Sequence, residues 1–353
     1  MSYQDGWAAI NLSMPPRIPR TEYSAESYHF PLISRVTGRE VREDSPASEK
    51  AVATAAFKKA WSYDFIWSTL VGPEFLGDIS TDMGHAVYAA DGSDLTPRGL
   101  PAFAGPEEVL AFDPLEQLPQ IRHADLVDRF TSHYRANAQG NPDAVNMTGT
   151  YITLISGLIA MLGWDLFLTT AGTDPEAFGR FTNRYAQWVA RFYDALAESE
   201  APLVMMHDDI VWTSGPFTHP DWYRTYVFPN YTRLLAPLKE AGKKIAYTSD
   251  GDYTLFIDDL VHAGVDGFVL EPLTDMSVIA ERYGKTHFFI GNADTRILLS
   301  GSREEIRQEV TRCMNIGRDC PGFFMAVGNH IPANTPVESA LYYNECYEAM
   351  MVR

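Results

Sequence analysis

Five apolar runs in the second half of the chain each close on a polar cluster, and a stretch of helical character follows each cluster. Residues 202–206, 244–248, 267–270, 287–290 and 323–327 are the runs. They end in His207-Asp208-Asp209, Ser249-Asp250-Gly251-Asp252, Glu271-Pro272, Gly291-Asn292-Ala293-Asp294 and Gly328-Asn329-His330. Runs this short suit strands buried on both faces. Repetition of strand, polar tip and helix predicts an α/β chain folded as a parallel (β/α)8 barrel, whose active site gathers at the C-terminal strand ends. Acids, amides and two histidines would then surround one pocket, as in an enzyme.

The 353 residues, 46% of them hydrophobic, can bury one large core, so residues 1–353 are expected to form a single barrel domain. A formal net charge of -18 repels phosphate backbones and argues against nucleic acid as a partner. The acidity serves solubility, or docking to a basic patch on a partner. No run reaches the ~20 apolar residues of a membrane span. Met1-Ser2-Tyr3-Gln4-Asp5 lacks the basic and apolar regions of a signal peptide. Cys313, Cys320 and Cys346 have no metal-binding spacing, so unreactive thiols in a reducing cytoplasm are expected.

Ahead of the barrel pattern lies an N-terminal extension with a Pro-rich segment at 14–23 and a helix at 28–37. A helix at 48–61 leads into an apolar run at 63–71. Residues 72–119 are rich in Gly, Pro and Asp, which predicts a hairpin and long loops inserted over the barrel mouth. A strand is expected within 147–153. Residues 173–198 place Phe178, Phe181, Tyr185, Trp188, Val189, Phe192 and Leu196 at helical spacing, a core-facing stripe. Further helices are expected at 220–238, 253–263 (ended by Gly264) and 276–283. Ser302 with Glu305 three residues on forms a capping sequence for a helix to about Gly317. Thr335-Pro336-Val337-Glu338 repeats that form before the last helix.

These tips, in this order, resemble the uroporphyrinogen decarboxylase superfamily, which also holds corrinoid-dependent methyltransferases. The likeness rests on Arg17-Ile18-Pro19, Met206-His207-Asp208-Asp209, Ser249-Asp250-Gly251, Leu270-Glu271-Pro272, Gly291-Asn292-Ala293-Asp294-Thr295 and Gly328-Asn329-His330-Ile331-Pro332 with Thr335-Pro336-Val337-Glu338. It is strong over 201–345 and weaker over 1–200. Decarboxylases of this superfamily bind pyrrole nitrogens with an aspartate after an early Phe-Ser pair; here Trp67-Ser68-Thr69 has a hydroxyl in that place. Their paired arginines sit in a different setting from Arg17 and Arg20, and their Gly-His-Gly is Gly328-Asn329-His330 here. Relatives that methylate thiols hold zinc on His-x-Cys and a later Cys; the matching positions are Thr248, Asp250 and Asn329, without a thiolate. The resemblance therefore implies the methyl-donor branch. Such an enzyme moves a methyl group from a methylated small molecule, such as a methoxylated aromatic, to a corrinoid (cobalamin) carried by a separate protein. Residues 259–264 have the wrong spacing for a cobalamin motif.

On this reading His330, Asp250, Glu271 and His207 are the expected catalytic residues, and Asp250, Glu271 and His330 make a possible zinc site. Asp208, Tyr247, Asn292, Asp294, Asn329 and Arg20 are the expected substrate contacts. Tyr247, Trp212 and Trp67 are candidates to stack on an aromatic ring. Asp78, Asp82, Asp91 and Asp94, with the segment 212–222, would wall the opening and steer a partner. Each residue also has a structural reading: Asp250 as a turn or cap, Glu271 as a strand end, His330 and His207 as hydrogen-bonded scaffold, Asn292 and Asp294 as loop braces. Two other functions remain open: porphyrinogen decarboxylation, and a non-catalytic barrel that binds a ligand.

Overall fold

A computed structural model describes residues 1–69, 73–81 and 102–353. Six parallel strands run side by side in the order Phe323–Phe324, Phe288–Ile290, Gly267–Val269, Lys244–Thr248, Leu203–His207, Thr148–Thr150. Residue Met147 joins the last of these to Val145–Asn146, which pairs in parallel with Phe65–Ile66. The extended segment at Arg20 closes the ring, bridging in parallel to Tyr63 on one side and to Met325 on the other. Eight strand positions thus form a closed parallel barrel, and no polar sheet edge is left to cover.

Alternation along each strand sorts side chains between two cores. Leu203 and Met205 face inward with Phe65, Val145, Met147, Ala246, Phe288, Ile290, Phe324 and Ala326. Val204 and Met206 face outward, into the layer between barrel and helices. Ala9 and Ile10 of the first helix, Tyr3–Ile10, join the inner cluster. Gly6 lies against the Asp64 carbonyl and the Val145 side chain, so this helix plugs the N-terminal end of the barrel. The opposite end, with the polar tips, stays accessible.

The long helix is Pro175–Glu198, capped by the Asp174 side chain, and its whole aromatic stripe is buried. Thr173 belongs instead to the preceding helix, Trp164–Thr173. The Ser302 capping box is formed as expected, on helix Arg303–Gly317. Three local readings need correction. The stretch 220–238 is two helices, Pro220–Tyr226 and Phe228–Glu240. Pro229 needs no N–H in the first turn of the second, so the chain restarts there. Residues 253–263 are a 3-10 turn, Thr254–Phe256, followed by Ile257–Ala263. The last helix begins at Val337 with Pro336 in the cap position and no side-chain cap. Thr335 falls one residue too early, and its carbonyl meets His29 Nε2 at 2.9 Å.

Within the expected insertion, Pro73–Ile79 is a kinked 3-10 segment, and Pro106–Ala111 and Pro114–Gln117 are short helices. The expected hairpin, with Asp82, Asp91 and Asp94, lies outside the described residues. Among the described residues no single helix is long and apolar enough to cross a membrane.

Candidate active site

The inward face of the strands continues past their ends. His207 follows Leu203 and Met205, Thr248 and Asp250 follow Ala246, Glu271 follows Val269, Trp67 follows Phe65, and His330 follows Phe324 and Ala326. All six tip residues line one cleft at the mouth, together with Tyr23, Gly328 and Asn329. The cleft has a volume of about 60 Å³ and opens to solvent at the mouth. Gly251, at φ +84°, allows the Asp250 loop to lie against the carbonyl of Trp212, where a Cβ would come within 2.5 Å.

Acidic groups crowd one side of this cleft. His207 Nε2 is 3.2 Å from Asp209 Oδ1, and that oxygen also accepts the Asp250 N–H at 2.8 Å. Glu271 Oε2 accepts the Gly251 N–H at 2.8 Å, and its Oε1 accepts from the Asn329 amide. Asn329 Oδ1 accepts the His330 N–H at 2.7 Å. His330 Nδ1 meets the Ser24 hydroxyl, and the Tyr23 ring stands edge-on to His330 at 4.8 Å. Tyr23 and Tyr151 share a hydrogen bond of 2.6 Å between their hydroxyls, and the Tyr151 ring lies 4.8 Å from His207.

This crowding moves the titrations. Burial opposes a charge on His207, but the Asp209 carboxylate beside it prevails and raises the imidazole to about 10. Enclosure in the cleft, then the charges of Asp209 and Glu271, push the Asp250 carboxyl up to about 7, although solvent reaches it through the mouth. Burial also raises Glu271. Asp250 therefore holds a dissociable proton near neutral pH, as general acid chemistry requires.

The expected zinc triad of Asp250, Glu271 and His330 is not the group that comes together. The ligand atoms that lie within 4.8 Å of one another belong to His207, Asp209 and Asp250. One imidazole nitrogen and two carboxylate oxygens form a donor set that fits zinc, which uses three protein ligands in catalytic sites.

Three expected substrate contacts face the wrong way for one reason, and others are held elsewhere by the fold. Asp208, Tyr247 and Arg20 stand one residue out of step with the inward set, and all three are fully buried behind the barrel wall. Asp208 accepts the N–H groups of Leu154, Ile155 and Ser156 at the start of helix Ile155–Leu162, and the Tyr231 hydroxyl. Tyr247 donates to the Asp208 carbonyl at 2.8 Å. Arg20 pairs with Glu22 at 2.9 Å and lies 4.4 Å over the Trp61 ring. Asn292 is buried and donates to the carbonyls of Glu271 and Thr274. Asp294 caps helix Thr295–Ser300 and pairs with Arg296. Trp212 is 43% exposed and packs on Trp164 and Phe217, away from the cleft lining. Asn329 and Trp67 do line the cleft. Asp209, Tyr23 and Tyr151 were not anticipated, and counting in twos from Met205, Thr21 and Met147 would have found them.

The model of the uroporphyrinogen decarboxylase (URO-D) family matches residues 82–349. Uroporphyrinogen decarboxylase of Pelobacter propionicus is 24% identical over 176 residues, 50% of each chain. That of Thermus thermophilus is 30% identical over 166 residues, 47% of each. The aligned part thus spans about half the length of these curated relatives. A methyltransferase from Methanosarcina mazei shares the fold with a TM-score of 0.63 at 14% identity, covering 97% of this chain and 96% of that one. The family match runs through all five strand tips with which the second half of the chain builds the cleft, and the chain belongs to the uroporphyrinogen decarboxylase family.

Proposed function

We propose that the chain is a methyltransferase that takes a methyl group from a methoxylated aromatic and passes it to the cobalt of a separate corrinoid protein. The observation that carries this reading is the charge of the cleft. Among the described residues lining it there is no lysine or arginine, while Asp250 and Glu271 line it and Asp209 stands beside His207. A porphyrinogen with many carboxylates would be repelled by such a wall. Arg17 and Arg20, the arginines placed to serve that substrate by sequence, are committed to Asp64 and Glu22.

A methoxylated aromatic suits the same cleft. Tyr23 and Trp67, with ring centroids 5.3 Å apart, offer it an aromatic wall. The reduced cobalt of the partner supplies the nucleophile; the ether C–O bond breaks, the methyl group is transferred, and the aromatic oxygen leaves with its electron pair. Charge that grows on this oxygen needs a donor. Protonated His207 and the Asp250 carboxyl are the groups of this chain placed to supply one. Positioning the methyl towards the open mouth is the rest of the protein's task.

The test combines the chain, a reduced corrinoid protein and a panel of methoxylated aromatics, and reads cobalt methylation by absorbance. Methylation that requires all three components supports the reading. Decarboxylation of a porphyrinogen, read by fluorescence of the oxidised porphyrin, would replace it with the activity named for the curated relatives.

A further inference from the structure

Position, rather than hydrogen bonding, divides the polar groups of the cleft into two kinds. Both oxygens of Glu271 are engaged by the protein, one by the Gly251 N–H and one by the Asn329 amide. His330 Nδ1 is engaged by the Ser24 hydroxyl. Both residues are held in place by the loops around them. His207, Asp209 and Asp250 differ, because each brings a ligand atom within 4.8 Å of the other two.

These three also rest on rigid structure. His207 ends the strand Leu203–His207, directly opposite Thr248 on the neighbouring strand, and Asp250 follows Thr248 by two residues. Backbone bonding ties the two tips together, through Asp208 N–H to the Thr248 carbonyl at 3.0 Å and Asp250 N–H to Asp209. Donors placed by adjacent strands stay in register better than donors on separate loops. No lysine or arginine lines the cleft among the described residues, so only the His207 imidazole is there to balance Asp209, Asp250 and Glu271.

We propose that a divalent cation of the zinc class binds to His207, Asp209 and Asp250, with Glu271 and His330 outside its coordination sphere. Three nitrogen and oxygen ligands leave a position open for an ether oxygen. Glu271 would act through the Asp250 loop, whose Gly251 N–H it accepts at 2.8 Å, orienting the ligand rather than providing one. Binding would displace the protons of His207 and Asp250, so the cation would take over their part at the leaving oxygen as a Lewis acid; that role rests on the methyl-transfer reading. Binding of the cation does not.

Chelator-treated full-length protein, with no methyl donor and no corrinoid protein present, is titrated with Zn²⁺ by calorimetry and with Co²⁺ by visible absorbance. The expected result is one equivalent per chain for the wild type. His207→Ala and the volume-conserving Asp209→Asn lose binding while circular dichroism and thermal unfolding show a folded chain. His330→Ala binds like the wild type, and Glu271→Gln binds no more than about 10–100-fold more weakly. No binding by the wild type overturns the proposal. Undiminished binding by Asp209→Asn, with loss in His330→Ala, overturns it as well. The readout involves no methyl transfer, so failure of the methyl-transfer assay leaves this result standing, and the converse holds.

Discussion

Two sets of charge face opposite sides of the same barrel wall, and they are built differently. Behind the wall, Arg20 pairs with Glu22, which also takes the Val327 N–H and the Tyr343 hydroxyl. Asp208, on the same side, answers three amides and a tyrosine. Each carboxylate there accepts several hydrogen bonds, which offset in part the burial that raises both Glu22 and Asp208. In the lumen, Asp209, Asp250 and Glu271 surround one imidazole, and enclosure first, then their mutual repulsion, raises the Asp250 carboxyl to about 7. Charges partnered by the fold itself serve the fold. Charges left in mutual conflict at an open cleft are arranged for something that binds there.

The largest effect expected from this contrast is on stability. Arg20→Ala strands Glu22 inside the wall and should cost about 3–5 kcal/mol. Thermal or urea unfolding measures it, and a near-neutral result would erase the distinction between the two sets.

Asp250→Asn is the opposite experiment. It removes a like charge from the lumen, so the folded protein should be as stable as the wild type or more so. Methyl transfer should fall by about 10²–10³-fold, the loss of one transition-state donor. A stable variant with wild-type rates would remove Asp250 from the chemistry.

The period of two explains what could and could not be read in advance. Strand, tip and helix were legible as local patterns, and so was the Ser302 capping box. Which of two adjacent tip residues faces the lumen depends on strand register, which a cluster such as His207-Asp208-Asp209 does not reveal by itself. Asp208 was therefore expected at the substrate and Asp209 was overlooked. Counting inward from Met205 settles this pair, once Met205 is known to face the lumen. Tyr23 was hidden for another reason. Its strand is a single extended segment at Arg20 with no apolar run to announce it, and only closure of the ring brings it to the mouth. The break at Val227 was readable, because Pro229 marks a first turn.

A smaller effect appears with pH in the cation-free protein. The folded chain keeps protons that the unfolded chain has released, on Asp250 between about pH 4 and 7 and on His207 between about pH 6.5 and 10. Stability should therefore decline as pH rises through both windows. Asp250→Asn should remove the lower part of that slope. A wild-type stability that climbs between pH 4 and 7 more steeply than the variant's would contradict the assignment.

The smallest expected change is at Asp294. Its carboxylate caps a short helix and pairs with Arg296, so Asp294→Ala should cost about 1 kcal/mol. Rates of methyl transfer should not change, whereas a large rise in KM for the aromatic would restore it as a substrate contact.

The central claim is that the lumen cluster transfers a methyl group from an aromatic ether to a cobalt held by another protein. Rapid-mixing absorbance of a reduced corrinoid protein, with the chain and a methoxylated aromatic, tests it most directly. The account predicts conversion of the reduced cobalt spectrum to the methylated one, with a stoichiometric demethylated phenol and a rate lowered about 10²–10³-fold in Asp250→Asn. Release of the phenol by the chain alone, or an unchanged cobalt spectrum across the donor panel with porphyrin formed from a porphyrinogen instead, would contradict it.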